Sequence, residues 1–146
     1  MKTASQSKPL AITAWAMQII LAAVFVLMGA FPKLSGDVYS VALFEKLGFE
    51  PGRFIVGGAE AIAAVLLLVP GAHAVGGALV VGLMLGAIGS HLGPLGIDTE
   101  LMINGEPETL PQLFPMSIVF LVLALALVAL RRDELPLIGA KASSEA

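Results

Sequence analysis

The sequence of 146 residues contains no cysteine. That absence excludes disulfides, thiolate nucleophiles, cysteine-ligated metals and iron–sulfur clusters, so any redox role would need a borrowed cofactor. Charge is scarce too, at 13% Asp, Glu, Lys and Arg, against roughly 25% in ordinary globular domains. There is no phosphate loop, nucleophile elbow or dinucleotide fingerprint, and no nucleic-acid partner is expected. Metal is not expected either: one intramembrane glutamate and one histidine fall short of the three or four protein ligands that zinc favours.

What the chain has instead is apolar length. Hydrophobic residues make up 58% and mean hydropathy is +0.94, the composition of an integral membrane protein. The sequence predicts an all-α fold, a bundle of four transmembrane helices at about 10–31, 54–69, 72–92 and 113–130. A short interfacial helix between Asp37 and Phe49 separates the first two spans. The leader at 1–9 and the tail at 133–146 flank a single domain at 10–132. The first apolar run exceeds the core of a signal peptide, and Pro32 is expected to end or kink its helix just before Lys33.

Within the second run stands one carboxylate, Glu60. A charge at the centre of a bilayer costs about 2.5 to 3.5 kcal/mol on insertion scales, so such a group faces protein, water or a counter-charge. Gly57, Ala61 and Ala64 share its helix face and offer a smooth surface to a neighbouring helix. A second small-residue ridge, Ala78, Gly82, Gly86, Gly89 and Gly93, runs along the third span and predicts close helix packing there. Gln18, Ala22, Phe25, Gly29 and Lys33 fall on one stripe of the first span. Gln18 there reads either as interhelical glue or as part of a polar seam.

Counting Lys and Arg in the flanks places both termini in the cytoplasm, with Lys2, Lys8, Arg131, Arg132 and Lys141 inside and Lys33, Lys46 and Arg53 outside. The connection at 93–112 carries Asp98, Glu100, Glu106 and Glu108 with no Lys or Arg, and Asn104-Gly105 suits a two-residue hairpin turn. This topology brings Lys33, Arg53 and His91 to the outer ends of their helices, with Glu60 about 10 Å deeper than Arg53. The expected site is an outward vestibule lined by Glu60, Lys33, His91, Arg53 and Gln18. In it Glu60 is either ionised beside Lys33 or Arg53, or protonated in a dry helix interface. His73, in the turn between the second and third spans, reads as a surface residue.

Several of these residues together resemble the DoxX family of small bacterial membrane proteins. The resemblance covers roughly Leu10 to Leu130. It rests on Gly29, Pro32, Lys33 and Leu34 closing the first span, and on Phe44, Leu47 and Gly48 before Pro51. Glu60 and the Met84 to Gly93 region, with its histidine His91, complete it. It implies a compact four-helix bundle in the bacterial cytoplasmic membrane. Some family members are linked to quinone-dependent sulfur oxidation as subunits of a membrane oxidoreductase. More remote relatives include a receptor-assembly chaperone, and the bundle is similar to that of vitamin K epoxide reductase, whose cysteine pair this chain lacks. The resemblance therefore implies an accessory subunit without an intrinsic cofactor, holding a quinone or lipid or a membrane or periplasmic redox partner. A small proton-coupled carrier, which would be a homodimer, and a non-catalytic assembly factor or scaffold are the alternative expectations.

Overall fold

A computed structural model describes residues 7–135, so most of the leader and of the tail expected at 133–146 lies outside the described residues. The first helix, α1 (Lys8–Val24), carries Pro9 in its first turn, where the missing N–H costs nothing. It passes into a π-helical segment, Phe25–Ala30, and then α2 (Phe31–Ser35), 28 continuous residues in all. Of the two outcomes expected at Pro32, an end or a kink, the end does not occur there. A proline inside a helix crowds the carbonyl four residues back and cannot donate to it. Here the preceding turn is widened, and the Phe31 N–H reaches back to the Val26 carbonyl, five residues away. The stop comes at Gly36, whose φ of 80° suits only glycine well.

A second, shorter helix follows because Asp37 caps it: its carboxylate accepts hydrogen bonds from the Tyr39 and Ser40 N–H groups at 3.1 and 3.4 Å. This is α3 (Val38–Lys46), the short helix expected between the first two apolar runs. Then come α4 (Gly52–Leu68), α5 (His73–Leu92) and α6 (Leu113–Leu130). Between α5 and α6 stands an antiparallel hairpin, β1 (Glu100–Ile103) and β2 (Glu106–Thr109), which pairs Glu100 with Thr109 and Ile103 with Glu106. Asn104 and Gly105 both have positive φ, 52° and 88°, as a two-residue turn matched to strand twist requires. The fold is thus mostly helical, with one small sheet.

Among the described residues, three helices are long and apolar enough to cross a membrane, Lys8–Ser35, His73–Leu92 and Leu113–Leu130. They form a bundle with α4, which packs on α1 and α5; α5 packs on α6, and α6 returns to α1. Leu21, Phe25, Leu67, Val80 and Leu127 fill its centre. The large apolar residues on the outside, among them Ile19, Leu27, Ile55, Val65 and Val122, form the surface that a bilayer would solvate.

Close approach between helices occurs at particular glycines. A Cβ on Gly76 would lie 2.7 Å from the Leu67 backbone nitrogen, and one on Gly77 would lie 2.9 Å from Val128 Cγ2. Gly57 meets α2, where a Cβ would come within 3.0 Å of Lys33 Cβ. The predicted ridge behaves differently. At Gly82, Gly86 and Gly89 an added Cβ meets nothing within 4 Å, so these residues pack against no helix of this chain. Ala61 is only half-buried, while Ala63 and Ala64 enter the core. The physical reason is angular: the α5 face that meets α4 and α6 is centred on Ala74, Gly77 and Val80, and the ridge lies to one side of it.

The hairpin covers one end of the bundle. Leu101 and Ile103 turn inward from β1, and the Lys46 ammonium at the end of α3 donates to the Glu100 carbonyl at 2.6 Å. The Glu108 carboxylate on β2 accepts a hydrogen bond from the Tyr39 phenol. That bond and the carboxylate charge hold the phenol's pKa above the ordinary value of 10.0.

Candidate functional site

Glu60 is the middle residue of the 17-residue helix α4, and it faces the π-helical segment. Across from it, one turn beyond Gly29, stands Lys33. The ammonium lies 3.0 Å from Glu60 Oε1 and 2.9 Å from Oε2, and it also donates to the Gly29 carbonyl at 3.3 Å. Gly29 makes the approach possible, since a Cβ there would sit 2.9 Å from both Cδ and Oε2 of Glu60. The widened helical turn thus presents a bare backbone to the carboxylate and a lysine to its oxygens. Glu60 is 5% exposed, so its charge is held by the lysine and not by bulk water.

The carboxylate is incompletely satisfied. Oε1 accepts the aligned hydrogen bond, whereas Oε2, although close to the ammonium, has no hydrogen-bond partner among the described residues. Glu60 and Lys33 both line a cavity of about 550 Å³. The walls are mostly apolar and come from every long helix: Phe25 and Met28, Val56, Leu83 and Met84, and Phe120. Leu43, Phe44 and Leu47 of α3, with Leu95, close in from the hairpin end. The polar exceptions are the Lys33–Glu60 pair, Ser90, His91 and Ser117.

His91 is buried near the end of α5 and edges onto the Phe114 ring at 5.9 Å between centroids. The Thr99 hydroxyl donates to the Gly96 carbonyl at 3.0 Å and lies 2.8 Å from His91 Nδ1. A hydroxyl whose proton is so engaged accepts from the imidazole, which assigns the ring proton to Nδ1. His91 Nε2 then keeps its lone pair. Glu60 Oε2 and His91 Nε2 are the acceptors this site can offer, and Lys33 is its donor.

Not every expected member stands here. Arg53 is not on the cavity wall: its guanidinium donates to the Lys33 carbonyl at 2.7 Å and stacks 3.9 Å over the Phe54 ring. It steadies the helix that carries Lys33 rather than facing Glu60. Gln18 lies at the other end of the bundle. It is fully buried, donates to the Leu67 carbonyl at 2.8 Å and accepts from Arg131 at 3.0 Å. His73 belongs to the same cluster, buried with Nδ1 3.0 Å from the Glu134 carboxylate and 5.3 Å from the Trp15 ring, so it is not a surface residue. The polar stripe on the first helix therefore serves two separate places, because Gln18 and Lys33 are 15 residues apart in the sequence, more than four helical turns.

Sequence reasoning missed Ser117, whose buried hydroxyl donates to the Phe114 carbonyl at 2.6 Å beside the cavity. As the one hydroxyl of α6 it was visible in the sequence. Nothing in the chain order showed that it would line the same cavity as Glu60. Among the described residues no three His, Cys, Asp or Glu side chains gather as a metal site would need. Comparison with family models, curated proteins and solved structures finds no match for this chain.

Proposed function

We propose that this chain is a small bacterial inner-membrane protein of the DoxX type that holds a quinone as an accessory subunit of a membrane redox system. The observation that carries the reading is the cavity itself: about 550 Å³, mostly apolar, with one ion pair and one imidazole on its walls. Sites for small ligands have this volume and this economy of polar groups. A neutral quinone head suits it better than a charged solute, because Lys33 and Glu60 already neutralise each other and an added ion would find no counter-charge. The Lys33 ammonium donates to a ring carbonyl of the quinone, and the Glu60 carboxylate and His91 Nε2 accept from a ring hydroxyl of the reduced quinol.

In this reading α4 is a fourth span. Its 17 residues reach the lower limit for crossing the hydrocarbon layer, and Phe54, Ile55, Ile62, Val65 and Leu68 give it an exposed apolar face. Helix α3 then lies at the interface, and an even number of spans returns both termini to the cytoplasmic side, as the flanking Lys and Arg favour. Titration of the protein in nanodiscs with a decyl-tailed benzoquinone tests the function. Lys33→Ala and Glu60→Gln should each weaken binding at least tenfold and reduce electron transfer with the co-purifying partner. Unchanged binding in both variants rules the reading out.

A further inference from the structure

The cavity has an end and a side, and they differ. Toward the hairpin end stand Leu43, Phe44 and Leu47 of α3, and Phe44 is buried. On the side, the α5 wall includes Gly82 and Gly86. Both are exposed, and at neither would a Cβ meet an atom within 4 Å. These two glycines lie within the 20-residue helix α5, about 13.5 Å (Gly82) and about 9 Å (Gly86) from its nearer end at 1.5 Å per residue. At that depth the medium outside a spanning helix is hydrocarbon, not water. The same cavity is lined by the Lys33–Glu60 ion pair, whose carboxylate side chain is 7% exposed.

From this we infer that the ligand enters sideways from the bilayer, between the bare backbone at Gly82–Gly86 and the opposite wall, and that α3 closes the route from water. The inference rests on the reading of this cavity as a quinone-type site and names its supply: a ligand dissolved in lipid, carrying an apolar tail that remains in the gap while the polar head reaches Glu60. The glycines are then specificity-determining by what they omit. Side chains at 82 and 86 would fill the gap without touching Lys33, Glu60 or His91. A water-borne solute would have no use for an opening at this depth.

The test uses a decyl-tailed azido-benzoquinone with the full-length protein in nanodiscs, photolysed at timed intervals after mixing, with label on cavity peptides counted by mass spectrometry. Gly82→Leu and Gly86→Leu should slow labelling at least tenfold. Gly89→Leu lies on the same helix in equally open space but off the cavity wall, and it should label at the wild-type rate. The Gly82→Ala/Gly86→Ala double variant, a smaller perturbation, should slow labelling less than either leucine. Lys33→Ala should lower the final extent of labelling instead of its rate. Equal rates in wild type and both leucine variants would overturn the lateral route while leaving the quinone reading in place. No labelling of the wild-type cavity would overturn the quinone reading and this inference together.

Discussion

Replacing Lys33 by Met keeps the length and apolar stem of the side chain and removes only its charge, which leaves Glu60 facing the cavity without its ammonium. Breaking a buried ion pair from one side typically costs about 3 to 5 kcal/mol. Two features of this pair place it at the low end. The Lys33 side chain is 17% exposed, so some of the pair's field is already screened. A carboxyl can also escape by taking up a proton, which for an ordinary group with a pKa of about 4.3 costs about 3.7 kcal/mol at pH 7 and no more. The expected loss is therefore about 3 kcal/mol at neutral pH. It should shrink by up to about 1.4 kcal/mol for each unit the pH is lowered, because the proton becomes cheaper to acquire. The double variant Lys33→Met/Glu60→Met removes both charges and should recover to within about 1 kcal/mol of wild type, as well-packed apolar replacements of buried pairs do. Unfolding by SDS, followed through the fluorescence of the single tryptophan Trp15, gives these differences directly. A loss below about 1 kcal/mol for Lys33→Met, or no rescue in the double variant, would mean that the pair is solvated and does not organise the site.

Three further outcomes follow from other contacts. Gly29→Ala should destabilise by about 1 to 3 kcal/mol in the same titration, since the added methyl would sit 2.9 Å from the Glu60 carboxyl, whereas Gly89→Ala, which meets nothing, should have no effect. Gln18→Leu leaves the Leu67 carbonyl and Arg131 without their partner and should cost about 1 to 3 kcal/mol, without changing ligand affinity at the far end of the bundle. The only tyrosine, Tyr39, should ionise above pH 10.0 when followed by ultraviolet absorbance, and Glu108→Gln should bring its midpoint down. Because the folded phenol holds its proton more tightly than the unfolded one, this contact contributes stability below pH 10 that is lost as pH rises through the folded midpoint.

The sequence alone located the four long helices to within a few residues and suited a turn to Asn104-Gly105, but its all-α reading did not include the strands β1 and β2. Leu113 and Leu130 bound α6 as expected, and Asn104-Gly105 makes the turn. It also singled out Glu60 and offered Lys33 as a partner, by the argument that a lone acid in an apolar run must be answered. Its errors share a cause. Pro32 was read by its local rule, but a widened turn one residue earlier relieved it. Arg53 and His73 were assigned by charge and by position along the helix, and each found a partner on another element; Gln18 lies away from the vestibule but is the interhelical glue that its other reading expected.

Composition and local rules determined what this chain had to do: hide apolar surface in helices, end one of them at Pro70-Gly71, and find company for one carboxylate. Only the tertiary structure decided which faces met. Helix period fixes which residues share a stripe, but not the rotation of that stripe about the axis, which is set by how side chains interlock with neighbouring helices. That rotation put Gly76 and Gly77 into close contact and left Gly82 and Gly86 bare at the edge of a cavity. It also brought Gly29 under Glu60, so that a lysine could reach its oxygens.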